Sequence, residues 1–199
     1  MAREKVIFNR KTEEYRLHVD DTNSGMSLAI LISELTTSLL TDGDDLVVLC
    51  IGTDRCTGDA LGPLIGSRLL ESGLTHVHVY GTLENPVHAT NLQKTLEELQ
   101  SRHKQSVVIA IDACLGKLDN VGNIMVGKGP LKPGAGVSKD LPAVGDLFIT
   151  GIVNVGGFMD YLVLQNTRLY LITRLADVIA EGLAHGLANL TLLRKASPV

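Results

Sequence analysis

This chain is predicted to be an α/β protein, a three-layer αβα sandwich with a mostly parallel sheet, and three features of the sequence predict it. The apolar run at 46–51, and the segment 106–111, apolar after Ser106, have the length and composition of strands buried on both faces, as in a parallel sheet covered by helices. Segments of helical periodicity stand between and around these runs, so strands and helices alternate. Aromatic residues make up only 4% of the chain and Trp is absent, so the core must be filled by Leu, Val, Ile and Ala, which suit buried parallel strands.

The elements follow in order. Across 25–40 the residues Leu28, Leu31, Ile32, Leu35, Leu39 and Leu40 recur at helical spacing, and Thr41, Asp42 and Gly43 form a stop. The strand at 46–51 ends at Gly52, and a Gly-rich loop leads to a second helix. Pro63 fits its first turn, Glu71 lies near its end, and Gly73 closes it. Residues 76–80, His-Val-His-Val-Tyr, alternate with period two as a strand does. A loop at 83–90 precedes a helix at 91–100, and the strand at 106–111 then runs directly into Asp112. Two more strands fall at 121–126 and 147–153, separated by a long loop rich in Gly, Pro and Lys. A C-terminal helix covers about 166–193.

With 199 residues the chain is sized for a single α/β domain, in which the polar stretch 1–21 is a candidate N-terminal extension. A net charge of −4 and the lack of any Lys/Arg run offer no basic face for a phosphate backbone, so nucleic acid is not an expected partner. The N-terminus lacks the apolar centre of a secretory signal. The most apolar stretch, 26–40, is broken by Ser33, Glu34, Thr36 and Thr37, so no membrane span is expected either. Three cysteines, Cys50, Cys56 and Cys114, show no paired metal spacing and fit free thiols in the cytoplasm.

In an open parallel sheet, sites form beyond the carboxyl ends of the strands. Two loops there carry acids: 52–63, with Asp59 in Gly-Asp-Ala-Leu-Gly-Pro, and 109–113, with Asp112 in Ile-Ala-Ile-Asp-Ala. If their strands are neighbours, the two carboxylates can share a proton, since like charges in one site raise one pKa. One acid and one base could then activate water and protonate a leaving amine. Each acid also has a plainer role open to it. Asp59 could cap the helix that holds Pro63, and Asp112 could be a partly exposed loop residue. His88, in the loop 85–90, could orient substrate or move protons, or simply be solvated. Cys56 and Cys114 lie near the acids in sequence, which raises a cysteine nucleophile with His88 as base; packed apolar thiols are the alternative. The loop at 52–63 lacks the glycine spacing of dinucleotide and nucleoside triphosphate sites, so no cofactor is expected.

The loop 52–63 and the segment 109–113 resemble the two acid-bearing segments of the bacterial spore germination protease. Residues 132–137, Lys-Pro-Gly-Ala-Gly-Val, and the strand at 147–152 are similar to that family's Pro-Gly-Ser-Gly-Val loop and the strand after it. The resemblance extends over nearly the whole chain and to a short sporulation relative of that protease. It implies a phosphorylase/hydrolase-like fold shared with hydrogenase maturation proteases, and an endopeptidase of the sporulating cell or spore whose essential aspartates match Asp59 and Asp112. Asp54, Arg55, His88, Lys132, Gly134 and Gly136 are then the residues expected to contact a protein or peptide substrate. In maturation proteases a later His joins the two acids to bind nickel. No His follows Asp112 before His185, so no metal is expected here. A catalytically inactive peptide-binding protein and a metal-dependent maturation peptidase remain the alternatives, and a homo-oligomer is compatible with the sequence.

Overall fold

The apolar run after Asp45 becomes the strand from which the rest of the sheet is laid out. The computed structural model describes residues 7–9, 14–134 and 141–196. In chain order the elements are β1 (Ile7–Asn9), β2 (Glu14–His18), α1 (Ser24–Thr37), β3 (Asp45–Cys50), α2 (Leu61–Glu71), β4 (Val77–Tyr80), α3 (Leu92–Arg102), β5 (Ser106–Gly116), β6 (Asn123–Lys128), β7 (Leu147–Val155), α4 (Asp160–Gln165) and α5 (Leu169–Ala196). The strands form one sheet in the order β1-β2-β6-β7-β5-β3-β4.

Strand β3 pairs in parallel with β4 on one side and β5 on the other, and β5 pairs in parallel with β7. Beyond β7 the sheet turns antiparallel through β6, β2 and β1. The α/β class is therefore as predicted, with a sheet that is mixed: its central and far strands are parallel and one wing is antiparallel. Alternation along β3 divides the core. Leu46, Val48 and Cys50 face one layer with Leu28 and Ile32 of α1, Ile65 and Leu69 of α2, and Leu175 and Ile179 of α5. Val47, Leu49 and Ile51 face the other with Leu92 and Leu99 of α3. Those are the three layers, and residues at 0% exposure on both faces of β3 explain its unbroken apolar run.

Two features depart from the sequence reading. Part of the stretch 1–21 belongs to the sheet, since β2 pairs with β6 from Glu14 to His18. Its alternating pattern buries only Leu17 fully, which makes a weak strand signal among charged neighbours. At the other end, the helix expected over about 166–193 is α5, which starts at Leu169, and a short helix that the sequence reading did not give, α4, precedes it across a break at 166–168. Asn166 caps α4, and the buried Thr167 Oγ1 donates to the Val163 carbonyl.

Helix α2 begins almost in contact with β3. A Cβ placed on Gly62 would lie 2.1 Å from the Ile51 carbonyl oxygen, and one on Gly66 would lie 2.1 Å from that of Gly81. No backbone could tolerate such a distance without moving. Gly62→Ala should thus lower stability by about 1–3 kcal/mol, the usual cost of forcing atoms into a filled space. Gly25→Ala in α1, whose Cβ would meet only ordinary contacts at 3.5 Å, should be neutral or slightly stabilising. Urea unfolding of the two variants beside the wild type measures the contrast.

Candidate active site

Where β3 stops, β5 and β7 run on. The last residue of β3, Cys50, pairs with Ile111, and the next residue of β5, Asp112, is flanked on one side only, by Thr150 of β7. Asp112 thus stands inside a strand, although the sequence suggested a strand end; it emerges where its neighbour has turned away. The turn after β3 fills that space. Gly52 donates its N–H to the Val87 carbonyl at 2.7 Å, Thr53 donates to the Asp59 carbonyl at 3.0 Å, and a single 3₁₀ turn at 58–60 leads into α2. Gly52 holds φ at +147°, and a Cβ there would lie 2.0 Å from the Asp59 carbonyl oxygen, so only glycine allows the loop to fold back this tightly.

That turn sets Asp59 over the end of the sheet. Its side chain does not cap α2, whose N-cap is Ala60 and carries no side-chain cap bond. Asp59 and Asp112 instead line one cleft of about 790 Å³. The negative charge of Asp59 is felt by Asp112.

Asp112 is buried, at 9% exposure. Loss of water is the main cause that lifts its carboxyl to about 7, with the Asp59 charge adding to the rise. Two backbone donors work against it: Ala113 N–H to Oδ1 at 2.9 Å and Gly134 N–H to Oδ2 at 3.3 Å. Gly134 reaches Asp112 from the long loop with φ at +68°, a conformation that favours glycine. A carboxyl poised near neutrality can give or take a proton at physiological pH.

The neighbouring thiols are placed differently. Cys56 is buried, and burial first and the Asp59 charge second push its thiol upward. Burial also raises Cys114, to about 11, despite a hydrogen bond with Thr150 that acts the other way. Both stay protonated at neutral pH, which removes the thiolate that a cysteine nucleophile requires.

Of the residues expected at the substrate, Arg55, His88 and Gly134 line the cleft with the two acids. A bridge between Ile51 and Val87 carries His88 there, and its Nδ1 lies 2.8 Å from the Thr90 hydroxyl. Lys132 lines a smaller adjoining pocket of about 220 Å³ that also touches Asp112. Asp54 is exposed and does not line the cleft, and Gly136 lies outside the described residues. His185 is exposed on α5, away from the cleft lining. Asp59, Asp112 and His88 do not close into a three-ligand group; among the described residues such a group forms elsewhere, from Asp45, His78 and His103.

Sequence reasoning missed one wall. The segment after β7 supplies Gly157, Met159, Asp160, Tyr161 and Leu164. Met159 has φ +61° and ψ +42°, a left-handed conformation that costs a residue with a Cβ roughly 1–2 kcal/mol. Helix α4 presses on the acid-bearing turn at Gly58, where a Cβ would lie 2.7 Å from Leu164 Cδ2. Phe158, Met159, Tyr161 and Leu162 are exposed, with Phe158 at 86%, so the lip is apolar. The adjacent pair Gly156-Gly157 was the available signal of a sharp turn here.

The raised carboxyl makes a pH prediction. Asp112 binds its proton more tightly in the folded chain than its ordinary value near 3.9 in an unfolded one. The native state therefore carries the extra proton between about pH 4 and pH 7, and stability falls as pH rises through that window. Asp112→Asn removes this pH dependence. Urea unfolding at about pH 5 and pH 8 should show the wild type losing stability relative to Asp112→Asn on going to the higher pH; parallel curves would contradict the assignment.

Comparisons with known proteins agree with this architecture. The hydrogenase maturation protease HycI of Thermococcus kodakarensis KOD1 superposes with a TM-score of 0.50 over 80% of this chain and 99% of its own, at 19% identity, which shows a shared fold. The uncharacterized protein YyaC of Bacillus subtilis (strain 168) is 53% identical over 174 residues, covering 87% of this chain and 83% of the relative. No helix among the described residues is long and apolar enough to cross a membrane. The family model described as "Protein of unknown function (DUF1256)" matches residues 16–182, and the chain belongs to that family.

Proposed function

We propose that this protein is an endopeptidase of the spore germination-protease type, acting on a protein substrate in sporulating cells or spores, with Asp59 and Asp112 as its acid–base pair. The observation that carries the proposal is a buried carboxyl at about 7 sharing a cleft with a second carboxylate whose charge it feels. The maturation-protease fold supports a peptidase, and the sequence resemblance supplies the sporulation setting.

The chemistry follows from the unequal environments. Asp59, the less buried acid, takes a proton from water as that water attacks the scissile carbonyl. Asp112, in its protonated form, gives its proton to the leaving amine as the C–N bond breaks. The pair ends with its proton on Asp59 and resets by exchange with solvent. Arg55 and His88 are placed to hold the polypeptide, and the apolar lip at 158–162 suits side chains of an extended substrate.

Asp59→Asn and Asp112→Asn should each lower cleavage of spore proteins by at least about a hundredfold, and the double variant should be little worse than either, because one proton-transfer unit is lost in every case. Cys56→Ser should stay within a small factor of wild type, since its protonated thiol takes no part. Cleavage retained by either Asn variant would defeat the paired mechanism. A wild type that binds a polypeptide but cleaves none of the spore proteins would favour a binding protein on the same fold.

A further inference from the structure

A second cluster of chemistry-bearing side chains stands at the other end of β3. Five residue steps separate Asp45 from Cys50, about 16 Å along an extended strand, so this cluster and the cleft are separate places. Alternation puts Asp45 on the same face of β3 as Val47 and Leu49, the α3 face. His78 of β4 pairs with Val47, and Tyr80 with Leu49. Helix α3 covers that face and ends at its C-cap His103, whose backbone N–H donates to the Leu99 carbonyl at 2.8 Å and whose ring lies beside Asp45.

The ligand-type atoms of Asp45, His78 and His103 all lie within 4.8 Å of one another. Asp45 Oδ2 is 2.8 Å from His103 Nδ1, and Asp45 Oδ1 is 3.8 Å from His78 Nε2. Ligands held about 2.0–2.1 Å from a tetrahedral zinc ion are about 3.4 Å apart, so these separations bracket the value required. The two imidazoles lie with ring centroids 4.2 Å apart, an arrangement that a shared cation would favour and two imidazolium charges would oppose. Tyr80 Oη lies 3.1 Å from His103 Nε2, the outer hydrogen bond that usually sets the tautomer of a metal-bound histidine. The site is open to entry, since the side chains of His78 and Asp45 are 47% and 43% exposed.

We propose that Asp45, His78 and His103 form a site for a divalent transition cation of the zinc type, with water or an external ligand as fourth partner. Two histidines and one carboxylate are a common zinc donor set, and one carboxylate beside two neutral imidazoles leaves the bound ion a net charge of about +1, suited to an anionic or water ligand. The ion would tie the end of α3 to β3 and β4. The expectation of no metal rests on the lack of a His after Asp112 before His185 to join the two acids of the cleft; this trio is a different group, not legible in the sequence because its members are 33 and 25 residues apart in the chain.

The test uses the full chain stripped with a chelator and titrated with cobalt(II) chloride at about pH 7.5, where imidazole ligands are mostly unprotonated. One equivalent should give the visible absorption of a four-coordinate cobalt site, and zinc chloride should displace it. His78→Ala, a half-exposed change that leaves the core intact, should weaken binding at least about tenfold, and Asp45→Asn should do likewise. Asp59→Asn and Asp112→Asn should bind as the wild type does. Zinc should raise the melting temperature of the wild type and fail to raise that of His78→Ala, a readout independent of colour. No saturable absorption in the wild type, or absorption unchanged by His78→Ala, would overturn the site. Loss of binding in the Asp59 or Asp112 variants with His78→Ala unaffected would move the metal to the cleft and also overturn it.

Discussion

Helix α2 lies against the exits of β3 and β4 with nothing but hydrogen on two of its residues, and the cleft depends on that approach. Gly62 sits on the Ile51 carbonyl and Gly66 on that of Gly81. A side chain at either position would push the helix outward and lengthen the path from Cys50 to Leu61. With the helix close, ten residues must return over the strand end, and they do so by folding on themselves through Gly52 and Thr53 to the Asp59 carbonyl. Asp59 is thereby carried to the end of the sheet where β5 runs on past β3. Helix α4 braces the turn from outside at Gly58, so the position of one acid is fixed from the sheet, from α2 and from α4 at once.

The other acid shows why such a position is costly to keep. Asp112 occupies a place where the preceding Ala110 and Ile111 are wholly buried, and it receives two backbone donors where a fully ionised carboxylate could accept more. A chain selected for stability alone would have another apolar residue here. The arrangement is consistent as a device for holding a proton near neutral pH: water is reduced enough to raise the carboxyl, and the donors are few enough not to bring it back down. The cysteines beside it feel the same loss of water, and for a thiol that loss works against reactivity. One environment thus favours the acid and silences the thiols.

How much of this could be read from the sequence follows from how local each signal was. Strands β3 and β5 were legible because burial on both faces leaves an unbroken apolar run, and the two acids were legible because they break or follow those runs. Strand β2 was not, since an edge-side strand with one fully buried residue looks like a polar tail. The cleft's third wall depends on residues at 157–164 folding back from β7, and apolar residues such as Phe158 and Tyr161 look like core until the fold exposes them. Arg55 and His88 were found by the rule that sites gather beyond strand ends, while Asp54, one residue from Arg55, is exposed and does not line the cleft, a difference that the rule is too coarse to make.

The two ends of β3 make opposite use of the same side chain. At its start Asp45 is half-exposed, and the hydrogen bond with His103 is the largest cause holding its carboxyl below the ordinary range, so it stays ionised. Past its end, in the neighbouring strand, Asp112 is enclosed and lifted toward neutrality. An ionised carboxylate with imidazole partners suits the holding of a cation, whereas a half-protonated one beside a second acid suits the movement of a proton. The sheet keeps them at opposite ends of the β3–β5 ladder, and over that distance, with the Coulomb interaction falling as 1/r, each carboxyl answers to its own surroundings.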